Sequence, residues 1–207
     1  MIEYADAGLS STNPSNSYNF GTRNLATVAP KRTLVLMISS INANLSGVGN
    51  VTSVSLAGQA MTNRATLQAG TGARTVWTLE ESASATGNLT INRNISTGFS
   101  SAYWILWAIY NLKDVVPVDA QFANTGNPSS GVTIGVEAGG AVVAFASSAN
   151  SGANVSWTGV ASDVVLAGGV GSGDRIYGGS ALTPTTGSLA VTAARAALVQ
   201  AWAASFR

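Results

Sequence analysis

Ala102 to Leu112 reads Ala-Tyr-Trp-Ile-Leu-Trp-Ala-Ile-Tyr-Asn-Leu, the most apolar run in this chain of 207 residues. A helix that crosses a bilayer needs about 18 or more apolar residues in a row, so this run is too short for one. Its length and its aromatic and β-branched content fit a strand buried on both faces. Trp104 and Trp107 are three residues apart and so face opposite sides of such a strand.

The segments around it have the same character. Short apolar or alternating runs are separated by Gly, Ser, Asn and Pro clusters, the pattern of an all-β sandwich or barrel. Ser10 to Ser17 reads as a loop, and Tyr18 with Phe20 as a short strand. Thr33 to Asn42 (TLVLMISSIN) has the continuous apolar start of a central strand. Val51 to Ala57 alternates, with Val51, Ser53, Ser55 and Ala57 on one face and Thr52, Val54 and Leu56 on the other. A turn at Gly58-Gln59 then leads into Ala60 to Leu67. Arg74 to Glu80 alternates again, and Asn88 to Ile95 puts Leu89, Ile91 and Arg93 on one side. Further strands are expected at Val116 to Phe122, Val132 to Glu137 and Ala141 to Ser147, the last two joined as a hairpin through Ala138-Gly139-Gly140. Val155 to Val160, Val164 to Ala167, Arg175 to Gly179 and Leu189 to Thr192 complete the series. In Ala196 to Arg207, Leu198, Trp202 and Phe206 satisfy both helical and strand spacing. A strand is expected there, because no N-cap precedes it. The expected fold class is all-β, an antiparallel sandwich of jelly-roll-like form. The length suits one domain over 1–207, with 1–17 as an N-terminal extension.

Composition narrows the chemistry. Only 9% of residues are charged, against about 25% in ordinary soluble domains. Histidine and cysteine are absent, which removes the Ser-His-Asp triad, disulfides and thiol chemistry. Ser-Lys chemistry has only Lys31 and Lys113, neither in a Ser-x-x-Lys setting. The net charge is +1 and, apart from Lys31-Arg32, the basic residues are scattered, so no phosphate-tracking stripe exists. No nucleic-acid partner and no membrane insertion are expected. The amino terminus lacks the basic and apolar regions of a secretory signal, so either the protein is made in the cytoplasm or a leader has been removed. Five Asn-x-Ser/Thr sequons, at Asn44, Asn50, Asn88, Asn94 and Asn154, carry no weight in a chain so rich in these residue types.

The candidate sites are few. Glu80 and Glu81 are adjacent and point to opposite faces of a strand, which does not make a glycosidase pair. Asp163 and Asp174 flank a strand and a glycine loop, too few ligands for calcium, and Asp114 and Asp119 read as strand-exit residues. Gly168 to Gly173 lacks the Gly-Lys-Ser/Thr ending of a phosphate loop. No catalytic residue, metal or cofactor is therefore expected. Trp77 and Trp157 lie on amphipathic strands among Thr and Ser; they read either as sandwich core or as an aromatic platform for a glycan.

Several features, taken together, carry a resemblance: RTLVLMISSI, then VTSVSLAGQAMT with Gly58 at its turn, ARTVWTLEE, Gly-Asn-Leu-Thr-Ile at Gly87 to Ile91, and AIYNLKDVVP. Over Lys31 to about Ser147 the chain resembles a β-sandwich module of tailed-phage virion accessory proteins and bacterial surface proteins. The resemblance implies a structural or binding role and carries over no catalytic residue. The expected function is that of a non-enzymatic virion component: a head decoration, head-fibre, turret or tail accessory protein. Its partners would be copies of itself and other virion proteins. Two other readings are a module binding host surface glycans and an extracellular adhesin module.

Overall fold

A computed structural model describes residues 1–10, 16–42, 50–69, 72–81, 83–94, 100–126, 129–148, 154–167, 175–195 and 199–207. The regular structure of these residues is entirely strand, and every resolved pairing is antiparallel. Contacts divide the chain into two compact units: Glu3–Asn111, and Met1–Ile2 with Leu112–Arg207.

The strands of the first unit are β1 (Ile2–Ser10), β2 (Ser17–Asn24), β3 (Arg32–Asn42), β4 (Asn50–Leu56), β5 (Gln59–Ala60), β6 (Thr62–Ala69), β7 (Gly72–Glu80), β8 (Thr86–Asn94) and β9 (Ser100–Tyr110). One sheet runs β1-β9-β3-β7-β6 and the other β2-β8-β4-β5. The chain crosses between sheets at almost every connection, which is the double Greek key of a jelly roll. Between the sheets, Leu34, Leu36, Trp77, Trp104 and Leu106 of the first meet Val54, Leu56, Leu89 and Ile91 of the second. The central strand β3 is sealed on both faces, with Leu34, Val35, Leu36 and Met37 all inaccessible.

The second unit contains β10 (Asp119–Gly126), β11 (Ser129–Val136), β12 (Gly140–Ser148), β13 (Ser156–Thr158), β14 (Ala161–Ala167), β15 (Arg175–Thr183), β16 (Gly187–Ala194) and β17 (Val199–Phe206). Its sheets are β10-β17-β12-β15-β14 and β11-β16-β13. Apart from β5, which has no counterpart among the described residues, this is the strand order of the first unit over again, with β10 in the place of β1, β12 of β3, β14 of β6, and β17 of β9. Ile134 and Val191 of one sheet pack on Val142, Ala144 and Ala203 of the other.

The sequence-based expectations change in five places. Two jelly rolls stand where one sandwich is expected, because roughly one hundred residues already suffice for eight or nine strands to close two sheets. The expected N-terminal extension, residues 1–17, contains β1, a full sheet strand. Among its described side chains the buried ones are Ala5 and Ala7, and a Cβ on Gly8 would come within 2.6 Å of the Trp104 ring, so the face it buries carries no large apolar residue. In β4, a bulge between Val51 and Ser53 shifts the alternation and brings Val51 onto the buried face with Val54 and Leu56. Ala138-Gly139 is not a hairpin: β11 pairs with β16 while β12 pairs with β15 and β17, so this turn carries the chain from one sheet to the other. The strand expected at Val116 begins only at Asp119, leaving Val116 and Val118 exposed. Pro117 has no N–H for a ladder, and Asp114 Oδ1 accepts from the Val116 N–H at 2.9 Å in a turn.

Candidate functional site

The two indoles proposed for a glycan platform turn inward. Trp77, on β7 between Leu36 and Asn63, is only 4% exposed and belongs to the core of the first unit. Its Nε1 donates to Thr75 Oγ1 at 2.9 Å. Trp157, on β13, is half-buried, packs against both apolar clusters of the second unit, and has its indole nitrogen out of solvent. A stacking platform needs an open ring face; Trp77 presents none.

The acidic candidates have structural partners. Glu80 is exposed at the end of β7, whereas Glu81 is buried and accepts hydrogen bonds from the backbone N–H groups of Ala83 and Ser84 and from Gln59 Nε2. These backbone donors hold its carboxyl below the usual range despite burial. Asp119 Oδ2 accepts from the Gly135 N–H and its Oδ1 from Gln121, both at 2.8 Å. Asp114 and Glu137 flank Arg207 at 3.5 and 3.4 Å on the surface. Asp163 Oδ1 accepts from Ser180 Oγ at 3.1 Å, while Asp174 and Gly168 to Gly173 lie outside the described residues. Among the described residues no three acids gather as a metal site would require.

Buried arginines are the feature that site reasoning passed over. Arg32 is 1% exposed and donates to five main-chain carbonyls, those of Leu25, Ala26, Thr27, Glu81 and Ser84. Arg93, at the core-facing end of β8, donates to Ser40 Oγ at 2.9 Å and the Ser101 carbonyl at 2.6 Å, and lies over the Tyr18 ring. In the second unit Arg195 lies over the Tyr177 ring in the same way. The sequence did hold a signal, since Arg93 continues the Leu89, Ile91 series on the inward face.

Among the described residues, two open depressions lie in the second unit. One depression is lined by Met1, Ile2, Val160, Ala161, Ser180 and Leu182, and another, which shares Gly159, Ala181 and Leu182 with it, by Val136, Pro184, Thr185, Ser188 and Leu189. Neither lining contains a charged side chain. Such a surface can bury apolar area against a protein partner, and it offers no acid, base or nucleophile beyond a few hydroxyls. Compared with family models, curated proteins and solved structures, the chain matches none.

Proposed function

We propose that this protein is a non-enzymatic structural component of a virion, of the kind found as accessory proteins of tailed phages, and that it acts through contacts between its own copies. The reading is supported most by the tandem jelly roll, an architecture common in capsid and lectin proteins. A fold by itself does not assign a function, but here it is joined to a surface whose polarity comes from hydroxyl and amide groups. Such a surface associates with little charge to desolvate. The glycan reading gains nothing from Trp77, whose ring packs into its own sandwich, while Trp157 is half-buried against the core of the second unit.

The test is the mass of the purified protein in solution, by light scattering behind size exclusion across the micromolar range. A closed oligomer is expected, as most soluble assemblies are symmetric homo-oligomers. A monomer at every concentration would overturn the proposal.

A further inference from the structure

The outward face of the sheet β2-β8-β4-β5 carries an ordered run of neutral polar side chains, and we infer that it binds a stretch of uncharged glycan lying along β8. This site is separate from the two tryptophans and does not depend on how copies of the chain associate.

On β8 the inward residues are Leu89, Ile91 and Arg93, so Asn88, Thr90 and Asn92 point outward. The strand lies between β2 and β4, which puts these three residues in the middle of the face. Their cross-strand partners are also neutral and polar. Thr22 stands opposite Asn88, Asn19 and Ser55 opposite Thr90, and Ser17 and Ser53 opposite Asn92. The four strands hold two charged residues, and both turn away from this face: Arg93 is buried, and Arg23 lies over the Trp104 ring.

Hydrogen bonds within the face fix what it offers to a ligand. Asn88 Oδ1 accepts from Thr22 Oγ1 at 2.9 Å, which leaves the Asn88 amide NH2 to donate. Asn92 Nδ2 donates to Ser53 Oγ at 2.9 Å, which leaves Asn92 Oδ1 to accept. With the Thr90 hydroxyl between them, β8 presents a donor, a hydroxyl and an acceptor in series, about 7 Å apart along the strand.

A sugar hydroxyl both donates and accepts, so a row of them can pair with every member of this series. An anionic ligand would call for Arg or Lys, and an apolar partner would leave the amides unpaired. The fold does not impose the series. In the second unit, β16 has Ser188, Ala190 and Thr192 where β8 has Asn88, Thr90 and Asn92, so the same strand forms without amides.

The test is an array carrying neutral and acidic oligosaccharides side by side, followed by calorimetric titration with the neutral oligosaccharide that binds best. Neutral glycans should bind, with no gain from sulfate or sialic acid. Asn88→Asp keeps the acceptor for Thr22 but removes the NH2, and Thr90→Val removes the hydroxyl at nearly constant shape. Each should lower the association constant at least fivefold, while Thr192→Val in the second unit leaves it unchanged. If N88D fails to fold by circular dichroism, the T90V result decides alone. A wild-type protein that binds no neutral glycan overturns the inference, and so does binding that T90V leaves intact.

Discussion

Arg32 holds two loops of the first unit on one guanidinium, with the carbonyls of Leu25 to Thr27 on one side and those of Glu81 and Ser84 on the other. The planar fork of arginine satisfies these acceptors together, which a lysine ammonium cannot do. Arg32→Lys keeps the charge but strands several buried carbonyls, each costing about 1 to 3 kcal/mol. Urea unfolding should show a loss of about 2 kcal/mol or more, and an unchanged midpoint would refute the role. A second polar cluster lies nearby: the Tyr110 hydroxyl is 2.9 Å from Glu3 Oε2 and 2.8 Å from the Thr27 carbonyl. Burial, reinforced by the Glu3 carboxylate, pushes the Tyr110 phenol up to about 12. Burial also pushes the Glu3 carboxyl up, but the hydrogen bonds from Tyr110 and Thr27 outweigh it and hold the group below its ordinary value. Because the folded phenol titrates higher than the unfolded one, its contribution is complete below pH about 10 and is lost as the pH rises through about 12. Unfolding free energies measured from pH 8 to 12 should fall less steeply for Tyr110→Phe than for the wild-type protein. Parallel curves would exclude Tyr110 as the titrating group.

At the level of elements, the turn between β4 and β5 shows what periodicity leaves out. Leu56 pairs with Gln59, so the loop residues are Ala57 and Gly58, both at positive φ (52° and 78°). Glycine adopts that conformation freely, and alanine with a penalty of about 1 to 2 kcal/mol. Gly87 makes room for Ala57, since a Cβ there would come within 2.6 Å of the alanine methyl. Ala57→Asn keeps the Cβ and supplies the residue type that two-residue hairpins prefer. It should raise the thermal midpoint, by the equivalent of about 0.5 kcal/mol, and a lower midpoint would argue that the methyl packing matters more. Elements with strong period-two or continuous apolar patterns, β3, β8, β9 and β17, were legible from sequence. From Ala201 to Phe206 the β17 strand is buried, with Trp202 stacked on Phe145 at 4.0 Å. The strand β1, whose buried residues Ala5 and Ala7 are small, was not legible, and in β4 the strand was legible but not the bulge that turns Val51 inward.

On the scale of the molecule, the duplication was written in the chain though not in a form that short-range patterns reveal. Gly87-Asn88-Leu89-Thr90-Ile91 and Gly187-Ser188-Leu189-Ala190-Val191 stand one hundred residues apart and open β8 and its counterpart β16. Scarcity of charge also acts at this scale. An assembly held by uncharged surface should keep the same mass in light scattering from about 0.05 to 1 M salt, since screening weakens only charge contacts. Dissociation by salt would point to ion pairs instead.

The sequence by itself determined the all-β class and the inward faces of the longest strands. Both follow from hydrophobic spacing along a few neighbouring residues. It also determined the absence of histidine and cysteine chemistry. Only the tertiary structure decided that there are two jelly rolls, that Trp77 turns into its own core, and that Arg32 and Arg93 are buried. Those outcomes depend on which strands pair across tens of residues, and a local pattern carries no record of its distant partner.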